Sequence, residues 1–147
     1  MIKEIDFKTI KELWQTYLWP DRKNITPLSN LRYKDIPNIL ISSQHTAKFF
    51  AYYIDNKIVG VNSGHPSSRI HYRSRGLWVD PDYRKQGIGT SLLIHTIEQT
   101  KKEGKFFCWS LPRKQSLTTY LNAGFEQTSD FFETETNELN CYVIKEL

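Results

Sequence analysis

Between Leu77 and Leu93 the chain reads Leu-Trp-Val-Asp-Pro-Asp-Tyr-Arg-Lys-Gln-Gly-Ile-Gly-Thr-Ser-Leu-Leu, and this run limits the fold more than any other. A strand from about Ile70 to Val79 ends at Asp80-Pro81-Asp82. A basic loop carrying Gly87 and Gly89 then opens a helix whose apolar stripe is Ile88, Leu92, Leu93 and Ile97. Strand, turn, glycine loop and helix in that order call for an α/β domain.

The same order sets up an anion site. The first turn of a helix leaves backbone N–H groups without intrahelical acceptors, and the helix dipole makes them attractive to negative charge. Glycine lets that backbone come close to a phosphate, because no side chain intervenes. Arg84 and Lys85 add positive charge just outside. The plainer alternative is a glycine turn before a surface helix. A Walker loop fits poorly, because Gly89-Thr90-Ser91 has no lysine where that loop requires one. A dinucleotide fingerprint also fits poorly, since Leu92 stands where it needs a third glycine.

Along the rest of the chain, residues 2–6 alternate as a short strand. Phe7, Ile10, Leu13, Trp14, Tyr17 and Leu18 recur at helical spacing, with Asp6 placed to cap and Trp19-Pro20-Asp21 to stop the helix. Within 21–46, Ile25, Leu28, Leu31 and Ile36 suggest short helical pieces interrupted by Pro27 and Pro37. Lys48–Ile54 and Ile58–Val61 read as a hairpin around Asp55-Asn56-Lys57, with His65-Pro66-Ser67-Ser68 a loop after it. The helix after Gly89 ends at Lys101, Lys102 and Gly104. Phe106–Trp109 is a further strand, and 116–122 a short helix closed by Ala123-Gly124-Phe125. Two last strands, near 129–136 and 140–146, are expected to pair around Asn137-Glu138.

With 147 residues, 39% of them hydrophobic, one domain spanning 1–147 can hold a continuous core. No apolar run approaches the roughly 20 residues of a membrane helix, and Met1–Asp6 has no signal-like apolar region, so the expected location is cytoplasmic. Cys108 and Cys141 sit in strand-like stretches and read as buried thiols, with no zinc-ligand spacing; no metal is expected. A net charge of +4 suits a polyanionic ligand, whether a phosphorylated coenzyme or a nucleic acid.

Arg84-x-x-Gly87-x-Gly89, with its lead-in Val79-Asp80-Pro81-Asp82-Tyr83, resembles the R/Q-x-x-G-x-G/A signature of GNAT acetyltransferases. About 30 residues on, Tyr120-Leu121-Asn122-Ala123-Gly124-Phe125 is similar to that family's Tyr-x-x-x-Gly-Phe. The likeness covers 47–147 well and the first 46 residues loosely.

The resemblance implies a mixed, mostly antiparallel sheet of six to seven strands, splayed between the fourth and fifth and flanked by about four helices. It implies acetyl-CoA as co-substrate. The backbone of Leu77, Trp78 and Val79 would bond the pantetheine and the acyl carbonyl. Arg84, Lys85, Gln86, Gly87, Ile88, Gly89 and Thr90 would wrap the pyrophosphate. Tyr120 would be the general acid for the departing thiolate, since a phenol with an ordinary pKa near 10 holds its proton at neutral pH. Its alternative is a helix residue packed on the sheet. The reaction would be attack of a neutral amine on the thioester, with the tetrahedral intermediate held by backbone N–H donors.

This chain departs from the family at two points. Arg113 stands where an Asn is frequent, seven residues before the tyrosine, and arginine suits a cofactor phosphate or an acidic acceptor. The strand 71–77 carries no carboxylate to serve as general base. His65, His71, Glu126, Asp130, Glu133 and Glu135 are candidates, and none is singled out. Arg73 and Arg75 either bind an acidic acceptor or alternate outward on a polar face. A primary amine of a small molecule or amino acid is the expected acceptor. A protein or nucleic-acid amine, or a non-catalytic acyl-CoA-binding module, is the alternative. A homodimer is a mild expectation from the family.

Overall fold

Aromatic and β-branched residues favour a pleated, half-buried surface, and the strands they build here make the centre of the sheet. In the computed structural model, which describes residues 1–34, 36, 46–134 and 137–147, β1 (Ile2–Ile5), β2 (Lys48–Ile54), β3 (Lys57–Pro66) and β4 (His71–Val79) pair antiparallel in sequence order. Asp55 and Asn56 take φ of 50° and 64°, the left-handed pair that a two-residue hairpin loop requires. β5 (Phe107–Ser110) joins β4 in parallel. β6 (Glu126–Gln127) pairs with the last strand, which itself pairs antiparallel with β5. β7 (Phe132–Glu133) and β8 (Leu139–Asn140) form a separate two-stranded ladder, and β9 (Val143–Glu146) completes the seven-stranded sheet in the order β1-β2-β3-β4-β5-β9-β6.

Among the described residues three α-helices flank this sheet, against about four expected. They are α1 (Phe7–Leu13), α2 (Ile88–Lys102) and α3 (Leu117–Asn122). Asp6 caps α1 by accepting from Thr9 N at 2.8 Å. The helix then widens into a π-turn, Trp14–Leu18, closed by Trp19 N donating to Trp14 O. Because alternate strand residues face opposite sides, Phe49 and Ala51 pack with Ile10 and Trp14, while Phe50 packs with Ile88 and Leu92 of α2. Beyond the parallel junction, Leu93, Ile97, Cys108, Tyr120, Phe125 and Val143 form a further core.

Several expectations are corrected. His65 and Pro66 belong to β3, opposite Arg73 and Tyr72, rather than to a loop. Residues 21–34 hold no helix, and the expectations for Pro37 and Glu135 lie outside the described residues. The last two strands are shorter than 129–136 and 140–146. Ser129 Oγ accepts from Tyr142 N at 2.9 Å and Gln127 Nε2 donates to Ser129 O at 2.7 Å, so local side-chain bonds displace the ladder there. No described helix is long and apolar enough to cross a membrane.

Candidate functional site

A parallel pair held by only three residue partners is the origin of the site. His71, Tyr72 and Arg73 pair with Phe107, Cys108 and Trp109, and there the ladder stops. Ser110 Oγ then reaches across to Ser74 O at 2.6 Å. On its other edge β4 carries a bulge, since Val61 faces Trp78 and Ser63 faces Arg75, so Asn62 alone spans Gly76 and Leu77. Gly76 has φ +79°, the left-handed conformation that a glycine-led bulge uses. Its carbonyl accepts from Trp14 Nε1 at 2.8 Å.

The opened sheet holds a cleft of about 890 Å³, lined at the strand side by Arg73, Arg75, Gly76, Leu77 and Ser110 and at the helix side by Ser116 and Tyr120. Its outer wall includes Trp19, Arg22, Phe132, Glu138 and Asn140. Among the described residues five cationic side chains line it, Arg22, Lys23, Arg73, Arg75 and Arg113, against two carboxylates, Glu133 and Glu138.

Tyr120 is 4% exposed, with its ring edge-on to Phe125. Burial pushes its phenol up to about 12, while a hydrogen bond with Ser110 and the charges of Arg73 and Arg113 pull the other way. It is both a core residue of α3 and a wall of the cleft, so the two alternatives for it are compatible. Arg113 does not stand free: its Nε pairs with Glu138 Oε2 at 2.5 Å and its Nη2 donates to Leu18 O at 3.2 Å.

Of the glycine-loop residues, none lines the cleft. Arg84, Lys85, Gln86 and Gly87 are exposed, Ile88 and Gly89 buried, and Thr90 half-buried. Lys85 and Gly87 take φ of 63° and 81°, and the first helical bond of α2 runs from Ser91 N to Gly87 O. The N–H groups of Ile88, Gly89 and Thr90 therefore precede any intrahelical acceptor. A Cβ on Gly89 would lie 3.0 Å from Thr119 Cγ2 and 3.5 Å from Val79 Cγ2, so this glycine lets α2 approach α3 and the end of β4. Arg84 Nε donates to Val79 O at 2.9 Å and folds back on that strand end. The loop thus sits at the far end of the same strand whose bulge opens the cleft. Trp78 and Val79 point elsewhere: Trp78 stacks on Tyr17 at 4.7 Å and Val79 packs with the Phe50 cluster.

Neither candidate histidine lines the cleft. His65 is fully buried, and Nδ1 donates to Pro66 O at 2.9 Å while Nε2 accepts from Ser29 N at 3.3 Å. Burial pulls its pKa down to about 3, with the charges of Arg73 and Arg75 acting in the same direction. His71 stacks between Tyr33 and Phe107 and bonds Ser68 Oγ. Among the described residues Glu133 and Glu138 are the carboxylates at the cleft, while Glu126 and Asp130 lie outside its lining. Among the described residues no three His, Cys, Asp or Glu side chains gather as metal ligands.

Sequence reasoning left Arg73 and Arg75 undecided, offered Trp19 only as one of several aromatic residues of which some would line the acceptor cleft, and missed the wall supplied by Arg22 and Asn140. The available signal was two arginines at i and i+2 on a strand with no carboxylate, which puts both charges on one face. The outer wall comes from segments far apart in the chain, and nothing local marks it.

Residues 45–127 match the family model described as an acetyltransferase (GNAT) domain. Over 54 residues the chain is 35% identical to the ribosomal protein bS18-alanine N-acetyltransferase of Escherichia coli strain K12, covering 35% of this chain. The match spans only 36% of that relative's length. Among solved structures, an aminoglycoside 6′-N-acetyltransferase complexed with coenzyme A superposes with a TM-score of 0.73 at 12% identity, over 99% of this chain and 96% of that one. A GNAT family acetyltransferase from Elizabethkingia anophelis with acetyl-CoA bound gives 0.59 at 18% identity, over 69% and 76%. Likenesses at such identity establish the fold alone.

Proposed function

The chain belongs to the GNAT acetyltransferase family, and on that premise we propose that it moves an acetyl group from acetyl-CoA to a primary amine of a small molecule or amino acid. The observation that carries this reading is the parting of β4 and β5 into a cleft bounded by Leu77 and Tyr120, beside the open first turn of α2.

In this reading the pyrophosphate lies against the N–H groups of Ile88, Gly89 and Thr90, with Arg84 and Lys85 supplying charge from outside. The fit is supported by the left-handed Lys85 and Gly87, which turn the chain into the helix, and by Gly87, where an added Cβ would meet nothing within 4 Å. The pantetheine runs along the backbone of Leu77–Val79 into the cleft. Tyr120 keeps its proton at neutral pH and gives it to the thiolate as the C–S bond breaks. Arg73 and Arg113, which pull its pKa down, make that donation easier.

The acceptor amine must be neutral to attack. Among the described residues no histidine lines the cleft and Glu138 is held by Arg113, so the surplus of guanidinium charge itself disfavours an ammonium and lowers the amine's pKa. The released proton then leaves through water.

A second reading, acetylation of a protein amino terminus, is favoured by the local identity with a protein alanine acetyltransferase. Calorimetric titration with acetyl-CoA, followed by free-thiol release over a panel of small amines and amino-terminal peptides, separates the two. Micromolar binding with thiol release from small amines is the expected result. Release with peptides alone would favour the second reading, and no acetyl-CoA binding would remove both.

A further inference from the structure

Resting on the acetyl-transfer reading, we propose that Arg73 and Arg75 form an anion-binding subsite of the cleft, so that the amine acetylated here carries a carboxylate or a phosphate. Both side chains line the cleft, and both are more than nine-tenths buried, at 8% and 6% exposure. Guanidinium groups are rarely buried unless paired. Among the described residues neither makes a salt bridge, and the cations that bear on them are Arg22 for both and Arg73 for Arg75.

Their neutral contacts leave capacity unused. Arg73 Nη1 donates to Ser29 Oγ at 2.8 Å and its plane lies over the Trp109 ring, 5.1 Å from the centroid, but Nε has no partner. Arg75 Nη1 donates to Thr26 O at 2.7 Å, and its guanidinium sits 5.1 Å from the rings of both Trp14 and Trp19. Aromatic faces and single oxygen contacts hold these planes in place without neutralising them. An oxyanion reaching the cleft would relieve the repulsion between the two cations, and a small shift of the groups that enclose Arg73 Nε would let it take that donor as well.

A second unsatisfied group lies in the same lining. Asn140 Nδ2 donates to Leu111 O at 2.9 Å, which fixes the amide's orientation and leaves Oδ1 as a buried acceptor without a partner. The cleft therefore offers an unpaired donor on a cation and an unpaired acceptor on an amide. An acceptor with an acidic group and an N–H or O–H matches that pair. Burial lowers the arginines to about 10 and about 9, so both remain charged at neutral pH.

The test compares matched amines that differ only in charge. ω-Amino acids are run against their amides, and O-phosphoethanolamine against ethanolamine, by thiol release from acetyl-CoA. Glutarate, glutaramide and inorganic phosphate are titrated calorimetrically into the protein with and without coenzyme A at low salt. The acidic partner is expected to lead by about 10- to 100-fold in kcat/KM, as charge-assisted hydrogen bonds provide. Preference confined to the carboxylate or the phosphate series identifies which anion the subsite takes. In Arg73→Met the preference should collapse while acetyl-CoA affinity is kept. Arg73→Lys, which keeps the charge but not the planar fork, should retain part of it and provides a folded control if Met is not tolerated.

Equal rates for acid and amide, or no binding of glutarate and phosphate, would overturn the subsite. So would an Arg73→Met variant that loses acetyl-CoA as strongly as it loses the anion, since the arginines would then serve the coenzyme. Failure of acetyl-CoA to bind the wild-type protein would instead remove the acetyl-transfer reading, and the glutarate and phosphate titrations would still decide the anion site.

Discussion

Replacing Gly76 by alanine should unsettle the strand that borders the cleft, and the cost can be worked from the geometry. At φ +79° a residue with a Cβ sits in the left-handed region, a penalty of roughly 1–2 kcal/mol. The new methyl would lie 2.4 Å from Trp14 Cε2 and Cζ2 and 2.5 Å from Nε1. Trp14 is fully buried and cannot swing into solvent, so overpacking adds about 1–3 kcal/mol. Moving the indole also forfeits the Nε1 bond to Gly76 O, about 0.5–1.5 kcal/mol. Together these predict a loss of roughly 3–6 kcal/mol, a large share of the roughly 5–15 kcal/mol that holds a domain together. Urea unfolding would read it, and the thermal midpoint should fall by about 10 °C or more. A double-mutant cycle with Trp14→Leu separates the terms. The steric part should vanish when the indole is absent, leaving the left-handed penalty and a coupling energy of about 1 kcal/mol or more. A Gly76→Ala loss below about 1 kcal/mol would refute the reasoning, as would simple additivity with Trp14→Leu.

Tyr120→Phe is expected to lower turnover by about 100-fold or more while leaving acetyl-CoA affinity intact; an unchanged rate across pH would exclude the phenol as the acid. Because the buried Tyr120 titrates near 12 against about 10 when unfolded, the native state holds the proton longer, and stability should decline as pH rises from about 10 towards 12. His65 acts in the opposite window. Its folded pKa of about 3 lies below the unfolded value of 6.5, so the unfolded chain binds the extra proton and stability should fall as pH drops through 6.5, by up to about 1.4 kcal/mol per unit. His65→Gln should reduce that slope between about pH 6.5 and 4.5 in urea titrations; burial of His71 and His95, which lowers both, keeps it from vanishing. Arg84→Glu, at an exposed position, should change stability by no more than about 0.5 kcal/mol but weaken acetyl-CoA binding by tenfold or more in calorimetry.

Local chemistry made much of this legible from the residues. The Asp6 cap, the left-handed Asp55-Asn56 turn and the Gly87 entry to α2 depend on neighbours within a few positions, and each stands where the pattern placed it. The strand boundaries failed where side chains beyond the pattern intervened. His65 and Pro66 were drawn into β3 by pairing with Arg73 and Tyr72, and the last strands were cut short by bonds among Gln127, Ser129 and Tyr142.

By itself the order of residues determined an α/β chain with a glycine loop at a helix start and a tyrosine helix some 30 residues on, because periodicity, capping and turn chemistry act over short range. The cleft was decided only in three dimensions. Whether Arg73 and Arg75 face water or a pocket depends on Trp14 and Trp19 from one end of the chain, Trp109 from the middle and Asn140 from the other end. A strand's alternation puts two charges on one face, but only the elements packed against that face decide whether the charges are solvated or left waiting for an anion.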